Sequence, residues 1–564
     1  MHRLVASVVV ALVVVLQPPL TVAGPAGLAQ VETRVPGPPA TPLATPQPDL
    51  AGVAPLPLTG ERRAEFEAYV ADALRRLGVP GATVAVVQDG QIVYAQGFGV
   101  KELGGTDPVT PDTRMMIGSV TKSLTSTLAA TLVDDGALAW DTPVVELLPS
   151  FAVADPGLTP RLAVADAFCA CTGIPRRDPE SLFKADALTP DRLIAQVAEL
   201  PLTAPFGELF QYNNQLYAVG GYAAAAAAGA APNDLDGGYV AAVRDRLLGP
   251  MGMARSTFAL AEVLADGDYA RPYYAGLDGR LVPVSPVFEE RFLTKAAPAG
   301  GLWSSARDMA RYLQTELADG VAPDGTRVVS AANLARTRAP RVAIPVRPGL
   351  PPLLLEAAQH YAMGWFVGTY QGQPLINHSG GTMGFSSEAA FLPEADVGVV
   401  ILANDAQNGG TFALAVQYRL FELLFDRPAE VDALVGQGLE AQAAQLAQLQ
   451  AQLRAVDPAA VAPYLGRYAH PALGEVELAL RDGRLVFDAG ELRSELRALV
   501  DEAGQVVAYL FTDPPLAGRP APVTLRQGAD GRPEVAVTVE GENPEATATY
   551  VLTRLAPAAA TPAP

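Results

Sequence analysis

Strand-forming runs stand at both ends of a long region whose intervening residues have mostly helical and loop character. At its start, Ala82–Gln88 and Gln91–Gly97 are rich in strand-forming residues, and Asp89-Gly90 between them is typical of a tight hairpin turn. Similar runs recur much later, at Glu388–Leu392 and Val397–Asn404. Strands that enclose helices in this way predict an α+β fold, in which an antiparallel sheet is flanked by helices and carries an inserted helical subdomain.

The main globular domain is predicted to span residues 58–428. It opens with a helical period over Glu61–Leu77, in which apolar residues recur three and four positions apart. Its alanine-rich stretch, Leu216–Ala231, favours a buried helix over a membrane span, because alanine is a strong helix former and is barely hydrophobic.

The first residues have the composition of a secretory signal peptide, which we place at residues 1–29. Arg3 gives a positive start, and Leu4–Leu16 is apolar apart from Ser7. This run is too short to span a membrane comfortably, so we expect cleavage and no transmembrane domain beyond the signal peptide. Residues 30–57 are rich in proline and alanine and are predicted to form an extended linker. The protein is therefore expected outside the cell or on the periplasmic side of the cell envelope.

The amino-acid composition of the chain changes after the main domain. Residues 429–457 are predicted to form a helical linker, because Leu439–Arg454 is almost entirely Ala, Gln and Leu. Residues 458–555 are predicted to form a small all-β, barrel-like domain, and residues 556–564 a disordered tail. The β domain is indicated by short strand-like runs: Val476–Leu480, Leu485–Asp488, Val506–Phe511, Val523–Arg526, Val535–Val539 and Thr547–Leu552.

Composition excludes several functional classes. The 564 residues carry a formal net charge of −20, and such an acidic surface would repel nucleic acid. Only two cysteines and four histidines are present, without metal-ligand spacing, so we expect no metal site. The expected partner is a small-molecule or peptide substrate. No feature of the sequence specifies an oligomeric state.

Ser119-Val120-Thr121-Lys122 is a candidate catalytic motif. A serine and a lysine three positions apart share one face of a helix, so the amine can reach the hydroxyl. Burial and the positive end of the helix dipole would lower the pKa of such a lysine, which could then act as the general base for an acylating serine. A second copy, Ser181-Leu182-Phe183-Lys184, lies in charged, turn-rich sequence and is interpreted as structural.

Two further patterns suit the same chemistry. Tyr212 could shuttle a proton between nucleophile and leaving group, and Asn214 could orient a substrate carbonyl, although an asparagine pair before a helix is also typical of a cap. His378-Ser379-Gly380-Gly381 precedes a strand. Glycines there would allow a substrate to approach closely, and the Gly381 amide could point into an oxyanion site.

Taken in order, these three patterns resemble the motifs of the serine β-lactamase-like superfamily, particularly its class C β-lactamase, DD-peptidase and esterase-like branch. Connecting segments such as Gly78-Val79-Pro80-Gly81 and Gly249-Pro250-Met251-Gly252-Met253 are similar too. The resemblance implies an acyl-enzyme on Ser119, with general acid and base work shared by Lys122 and Tyr212, and with no metal or organic cofactor. It implies that Asn214, His378, Ser379 and Gly380 line the substrate site, and that the amides of Ser119 and Gly381 form the oxyanion hole. The terminal module resembles small β-barrel domains appended to this family.

Two departures from the family pattern affect the expectation. His378 stands where class C β-lactamases usually carry a lysine, and a neutral imidazole would hold the carboxylate of an antibiotic less well. The second departure is Cys169-Ala170-Cys171. Two thiols one residue apart point to opposite sides of an extended segment, so we expect buried free thiols.

The sequence therefore predicts a secreted serine hydrolase that cleaves an ester or amide, of the esterase or of the D-amino-acid or cell-wall peptidase type. A β-lactamase or a penicillin-binding protein is the alternative within the same chemistry. The alternative of another class is a non-catalytic protein that binds the cell envelope. A Ser-His-Asp hydrolase is disfavoured, because no Gly-x-Ser-x-Gly motif is present.

Overall fold

The computed structural model describes residues 49–184, 188–346, 349–517, 521–539 and 546–556. The predicted signal peptide, most of the predicted linker and the predicted tail beyond Ala556 lie outside the described residues. The last linker residues pack against the main domain, since Leu50 is buried and donates its N–H to the carbonyl of Gln371 at 2.7 Å. No helix within the described ranges combines the length and the apolar composition needed to cross a membrane.

The main domain is an α+β structure built on one antiparallel sheet, as predicted. Its strands are β1 (Gly81–Gln88), β2 (Gln91–Gly99), β3 (Met115–Met116), β4 (Tyr273–Ala275), β5 (Leu281–Pro283), β6 (Trp303–Ser304), β7 (Val342–Ala343), β8 (His360–Tyr361), β9 (Phe366–Tyr370), β10 (Gln373–Gly381), β11 (Ser386–Leu392) and β12 (Val397–Ala403). Eight of them form the sheet, in the order β2-β1-β12-β11-β10-β9-β8-β7. The predicted hairpin joins β1 to β2, and both Asp89 and Gly90 have positive φ, as a tight hairpin turn requires.

Helices cover both faces of this sheet. The helices of the main domain are α1 (Gly60–Leu77), α2 (Thr121–Asp134), α3 (Val144–Leu147), α4 (Val164–Ala167), α5 (Asp178–Phe183), α6 (Pro190–Val197), α7 (Asn214–Ala227), α8 (Leu235–Val243), α9 (Leu260–Asp266), α10 (Pro286–Thr294), α11 (Ala297–Gly300), α12 (Ala306–Leu317), α13 (Ala331–Arg338), α14 (Pro352–Ala357) and α15 (Gly409–Leu424). Val84 and Val86 of β1 face α1 and α15, whereas Ala85 and Val87 face the helical subdomain. Successive side chains of β1 thus point alternately to the two faces of the sheet, and each face has its own apolar core.

The alanine-rich run forms the buried helix α7, which confirms that prediction. Two glycines allow neighbouring segments to approach its axis closely. A Cβ at Gly221 would lie 2.3 Å from Pro298, and one at Gly220 would lie 2.6 Å from Phe168. Small side chains on α7 therefore let it pack in the centre of the helical subdomain, beside α2 and α11.

The C-terminal module is a closed barrel of eight antiparallel strands, as the sequence predicted in kind. After α16 (Val431–Gln452) and β13 (Leu453–Arg454) come α17 (Pro458–Val461), β14 (Gly466–His470), β15 (Gly474–Arg481), β16 (Arg484–Ala489), β17 (Leu492–Val500), β18 (Val506–Phe511), β19 (Val523–Gln527), β20 (Pro533–Val539) and β21 (Ala548–Arg554). Pairing of β17 with β18 closes the ring, and β13 adds to β17. The six predicted strands are confirmed, whereas β14 and β17 were not predicted.

The barrel packs directly on the main domain. Leu182 of α5, Phe288 of α10 and Met383 in the loop after β10 share one buried apolar cluster with the barrel interior. These three elements also border the candidate catalytic residues, so the barrel lies against the part of the main domain that carries them.

Candidate active site

Ser119 lies in a single 3₁₀ turn, Gly118–Val120, that leads directly into α2. Lys122 is on the first turn of α2, and its Nζ lies 3.1 Å from the Ser119 Oγ. The serine is half-buried, whereas the lysine is fully buried. Spacing of three residues thus brings the hydroxyl and the amine into contact, as the sequence predicted.

Lys122 is held by two further acceptors. Its Nζ donates to the Asn214 Oδ1 at 2.7 Å and to the Ala299 carbonyl of α11 at 2.7 Å. Burial lowers the pKa of Lys122 well below its usual value; the charge of Arg176 lowers it further, and the charge of Asp178 opposes both. A lowered pKa favours the neutral amine, which is the form that can take a proton from the serine hydroxyl.

The two asparagines before α7 have different tasks. Asn213 is the helix cap: its Oδ1 accepts the Leu216 N–H at 2.8 Å. Asn214 is the first residue of the helix and contacts Lys122 with its Oδ1. Its Nδ2 donates to both carboxylate oxygens of Asp178, at 3.2 and 3.0 Å. The capping interpretation and the functional one therefore apply to neighbouring residues.

Tyr212 is buried beside the catalytic pair. The Lys122 Nζ lies 4.8 Å from the centroid of its ring, and the Arg176 guanidinium carbon lies 5.6 Å from the same centroid. Tyr217, one turn into α7, donates its hydroxyl to the Lys122 carbonyl at 2.7 Å. Aromatic faces thus surround the amine and exclude water from it.

The third motif lies at the end of β10. Pairing of β9 with β10 ends at Asn377, so residues 378–381 extend beyond it. Two glycines bring this end against the serine turn. A Cβ at Gly380 would lie 2.0 Å from the Ile117 carbonyl oxygen, and one at Gly118, where φ is +49°, would lie 2.8 Å from the Gly381 nitrogen. The Gly381 amide is therefore next to the nucleophile turn, where an oxyanion hole requires it.

His378 is buried and neutral. Its Nδ1 donates to the Ser379 carbonyl at 2.6 Å, which leaves Nε2 to accept the Tyr361 hydroxyl at 3.2 Å. Burial, aided by the charge of Lys122, lowers the pKa of His378 to about 3. Its ring packs against Tyr212 and Phe366. The third-motif position therefore supplies no cation at neutral pH.

The expectation of free thiols is wrong, because Cys169 and Cys171 form a disulfide. Ala170 between them has φ of +51°, in the left-handed region, so the segment is not extended and both side chains turn to one side. Their Cα atoms are 5.2 Å apart, within the range of disulfides. The Ala170 carbonyl accepts the Gln211 N–H at 2.7 Å, so the bridged loop supports the segment that carries Tyr212.

The structure brings together the eight predicted site residues, namely Ser119, Lys122, Tyr212, Asn214, His378, Ser379, Gly380 and Gly381; their catalytic roles stay a prediction. Sequence reasoning missed Asp178, Arg176 and the Ala299 carbonyl. Arg176 and Asp178 lie in the charged, turn-rich sequence before Ser181, and Ala299 contributes only a backbone carbonyl, so no motif marked them. The second Ser-x-x-Lys begins on α5 and ends just after it, at Lys184, and Leu182 and Phe183 of this helix pack on the barrel. The described part of the chain contains no cluster of His, Cys, Asp and Glu suited to a metal ion.

Fold and site together define a serine hydrolase with the β-lactamase and penicillin-binding-protein fold. A family model described as Beta-lactamase matches residues 66–423, and the chain belongs to this family.

Individual relatives share this domain. The chain is similar to an unguisins hydrolase of Aspergillus violaceofuscus, with 28% identity over 392 residues that cover 66% of this chain and 66% of the relative. The chain thus spans just under two thirds of the length of that protein. It is 31% identical over 363 residues to penicillin-binding protein 4 of Amycolatopsis lactamdurans, covering 64% of this chain and 90% of that protein. An octameric penicillin-binding protein homologue from Pyrococcus abyssi has the same fold, with a TM-score of 0.56, 21% identity and coverage of 87% of this chain and 100% of that one.

Proposed function

We propose that this chain is a secreted serine hydrolase that cleaves an ester or amide through an acyl-enzyme on Ser119, as an esterase or as a D-amino-acid or cell-wall peptidase. The observation that carries the proposal is the pair formed by Ser119 and Lys122. A fully buried amine lies 3.1 Å from the serine hydroxyl, and burial favours its neutral form.

In the acylation step, the neutral Lys122 amine takes the hydroxyl proton as the Ser119 Oγ attacks the substrate carbonyl carbon. The carbonyl oxygen then carries a negative charge, which the N–H groups of Ser119 and Gly381 stabilise by hydrogen bonding. The C–O or C–N bond to the leaving group breaks, and Lys122 returns the proton to the departing alcohol or amine by way of Tyr212.

In the deacylation step, a water molecule gives a proton to Lys122 and Tyr212, which share the role of general base, and attacks the acyl carbonyl carbon. The bond between the acyl group and the Ser119 Oγ breaks, the oxygen regains its proton, and the carboxylic acid leaves. Asn214 orients the substrate carbonyl and holds Lys122 in place throughout. Because side chains and backbone amides supply every proton transfer and every stabilising contact, the cycle needs no cofactor.

The preference for esters and amides over β-lactams rests on His378. Its depressed pKa leaves the imidazole neutral, so the third motif gives no fixed positive charge for an antibiotic carboxylate. A penicillin-binding or β-lactamase activity is the second candidate, and the 31% identity to a protein named penicillin-binding protein 4 favours it. Rapid β-lactam turnover would reverse this order, whereas a long-lived acyl adduct would favour the penicillin-binding function.

Secretion is part of the proposal and rests on the sequence of residues 1–29. N-terminal sequencing of protein recovered from the culture medium or the periplasm is expected to begin after this segment. Intact Met1 on protein retained in the cytoplasm would contradict secretion without affecting the proposed chemistry.

The nucleophile is tested with a fluorophosphonate probe, with the modified peptide located by mass spectrometry. We expect modification at Ser119, and its loss in Ser119→Ala and in Lys122→Ala. Ser181→Ala is the matched control, because it removes the serine of the other Ser-x-x-Lys sequence, and it is expected to retain labelling. Labelling that persists in Ser119→Ala would contradict the assignment of the nucleophile and favour the non-catalytic alternative for this site.

A further inference from the structure

The orientation of the Asn214 amide is set by a residue that does not touch the catalytic pair. An asparagine amide presents an acceptor at one end and donors at the other, and rotation by half a turn exchanges them with little change in shape. The Asp178 carboxylate can only accept hydrogen bonds, and it takes the Nδ2 end with both oxygens. Oδ1 is therefore the end that faces Lys122, at 2.7 Å from its Nζ.

Asp178 is itself held in place on two sides. The guanidinium of Arg176 forms an ion pair with its carboxylate, and the same guanidinium lies over the Tyr212 ring. Asp178 is also the first residue of α5, so its backbone position follows the position of that helix.

Helix α5 is in turn fixed by the C-terminal barrel. The Tyr550 hydroxyl of β21 donates to the Glu180 Oε1 at 2.9 Å, and the rings of Phe183 and Phe487 meet edge to face with centroids 6.0 Å apart. The Arg177 Nη1 donates to the Ala546 carbonyl at 2.6 Å. The barrel therefore contacts α5 and the residue just before it through these interactions and through Leu182, which lies in the apolar cluster shared with the barrel.

We propose that Asp178 is a positioning residue, held by the C-terminal barrel through α5, that fixes the Asn214 amide and with it the catalytic Lys122. The inference rests on the proposed function, because it assigns the barrel a part in the acylation of Ser119. A chain of contacts runs from barrel to α5, to Asp178, to Asn214 and to Lys122.

The test is the rate at which the fluorophosphonate modifies Ser119 in the full mature chain, measured across pH. Asp178→Asn keeps the size of the side chain but lets the new amide pair with Asn214 in either orientation, so we expect labelling to slow at least about tenfold on the plateau of the pH profile, where Lys122 is fully deprotonated. Asp166→Asn is the matched control, because Asp166 also pairs with a half-buried arginine and has similar side-chain exposure, 17% against 22%.

The pH profile separates positioning from general loss of structure. The Asp178 charge raises the pKa of Lys122 and the Arg176 charge lowers it, so the acidic limb should move to lower pH in Asp178→Asn and to higher pH in Arg176→Gln. Opposite displacements by two variants cannot come from unfolding. The remaining titratable groups that face Lys122 are the same in both variants: Tyr212, Tyr217 and His378.

The part played by the barrel is tested by Tyr550→Phe, which removes only the hydroxyl that binds Glu180. We expect a twofold to fivefold slower labelling, roughly the effect of one hydrogen bond, and no further loss when Tyr550→Phe is added to Asp178→Asn, because both act through the same helix. Tyr468→Phe is the control in the same domain, since that hydroxyl binds the Tyr464 carbonyl within the barrel.

The outcomes distinguish this inference from the function on which it rests. Absence of labelling in the wild type would contradict the proposed function itself. Labelled wild type together with unchanged rate and pH profile in Asp178→Asn would overturn the positioning role. Equal slowing in Asp166→Asn and Asp178→Asn, with no displacement of the acidic limb, would reduce Asp178 to a structural residue and overturn it as well. If the losses in labelling rate of Tyr550→Phe and Asp178→Asn simply add in the double variant, the barrel does not act through Asp178.

Discussion

Burial of a single amine decides which chemistry this site can perform. Lys122 is surrounded by helix, aromatic rings and the Ala299 carbonyl, and its pKa falls mainly because water is excluded. A neutral lysine is a base, whereas a solvent-exposed lysine would be an ammonium ion at pH 7. Ser119 is therefore reactive because the fold buries Lys122, which keeps the neighbouring amine neutral and basic.

The rate of Ser119 modification is expected to rise with pH and to reach its plateau well below pH 10. The physical reason is that Lys122 becomes an active base once deprotonated, and burial brings that deprotonation to lower pH. The measurement is the labelling rate across a pH series, with Lys122→Arg as the comparison. Arginine stays protonated, so that variant should be at least about a thousandfold slower. A rate that still climbs steeply beyond pH 10 would contradict the lowered pKa.

Glu388 of β11 is expected to make the protein less stable as pH rises. Burial raises the pKa of Glu388 to about 8 from 4.5, so between these values the folded state retains a proton that the unfolded state has released. Stability therefore falls with rising pH across this window. His378 has the opposite effect, since its pKa of about 3 makes stability rise with pH up to 6.5, and Asp405, with a pKa of about 6, adds little above that value.

The window from pH 6.5 to 8 lies above the range in which His378 and Asp405 act. Lys122, whose pKa is lowered by burial, opposes Glu388 in this window but contributes equally to the wild type and to Glu388→Gln. Each pH unit changes the free energy of unfolding by about 1.4 kcal/mol, so the wild type should lose about 2 kcal/mol relative to Glu388→Gln. Urea unfolding midpoints at the two pH values measure the difference. Glu394→Gln, on the exposed turn after β11, is the control, and equal pH slopes for all three proteins would refute the prediction.

At the scale of elements, the site depends on how closely the serine turn approaches β10. Gly118 and Gly380 are the two positions where side chains would separate them. Residues distant in the chain thus meet through backbone atoms alone, which is why the third motif requires glycine.

Gly380→Ala is expected to slow Ser119 labelling at least about a hundredfold and to cost roughly 1–3 kcal/mol of stability, because its Cβ would lie 2.0 Å from the Ile117 oxygen. Gly381→Ala keeps the amide N–H, and its Cβ meets nothing within 4 Å among the described residues, so it should lose less than about tenfold. Labelling rates and thermal unfolding of both variants measure the effect. Equal losses would show that close packing at Gly380 is not what aligns the Gly381 amide.

Reduction of the Cys169–Cys171 disulfide is expected to slow acylation severalfold, because the bridged loop supports the segment carrying Tyr212. Both cysteines are buried, so reduction should need partial unfolding or prolonged incubation. Mass spectrometry after alkylation counts the free thiols directly, since the chain has only two cysteines. Alkylation of the native, unreduced protein would show that the thiols are free.

Sequence reasoning reached the fold and the catalytic motifs because these depend on local spacing. Ser119 and Lys122 share a helical turn, and β1 and β2 share a hairpin signal. Reasoning failed where a single backbone angle or a tertiary contact decides the outcome. The left-handed Ala170 joins the two thiols, and Asp178 meets Asn214 only after folding. Strand β17 went unpredicted because its Leu, Arg and Glu residues favour helix as readily as strand.

At the scale of the whole molecule, the barrel and the main domain share apolar surface and are not merely tethered. Leu182, Phe288 and Met383 enter the same buried cluster as the barrel strands. A shared core couples the stability of two domains, because separating them exposes apolar area on both.

Calorimetry of the intact protein should therefore give a single unfolding transition. Phe183→Ala is expected to separate it into two, with the barrel unfolding at lower temperature, because the contact with Phe487 is lost. Phe206→Ala is the matched control, since Phe206 is 41% exposed and does not belong to the shared cluster. Two transitions already present in the wild type would show that the domains are energetically independent.

The pairing of β1 with β12 has a consequence for how the chain folds while it is being synthesised. Ala82 pairs with Ala403, and both strands are buried along their entire length. At roughly 5–20 residues per second, a ribosome needs on the order of 15–60 s to make the intervening chain. During that interval the first hairpin exists without the partner that covers its inner edge. Folding of the catalytic domain is thus a late, long-range event, and a nascent chain is most prone to aggregation before β12 appears.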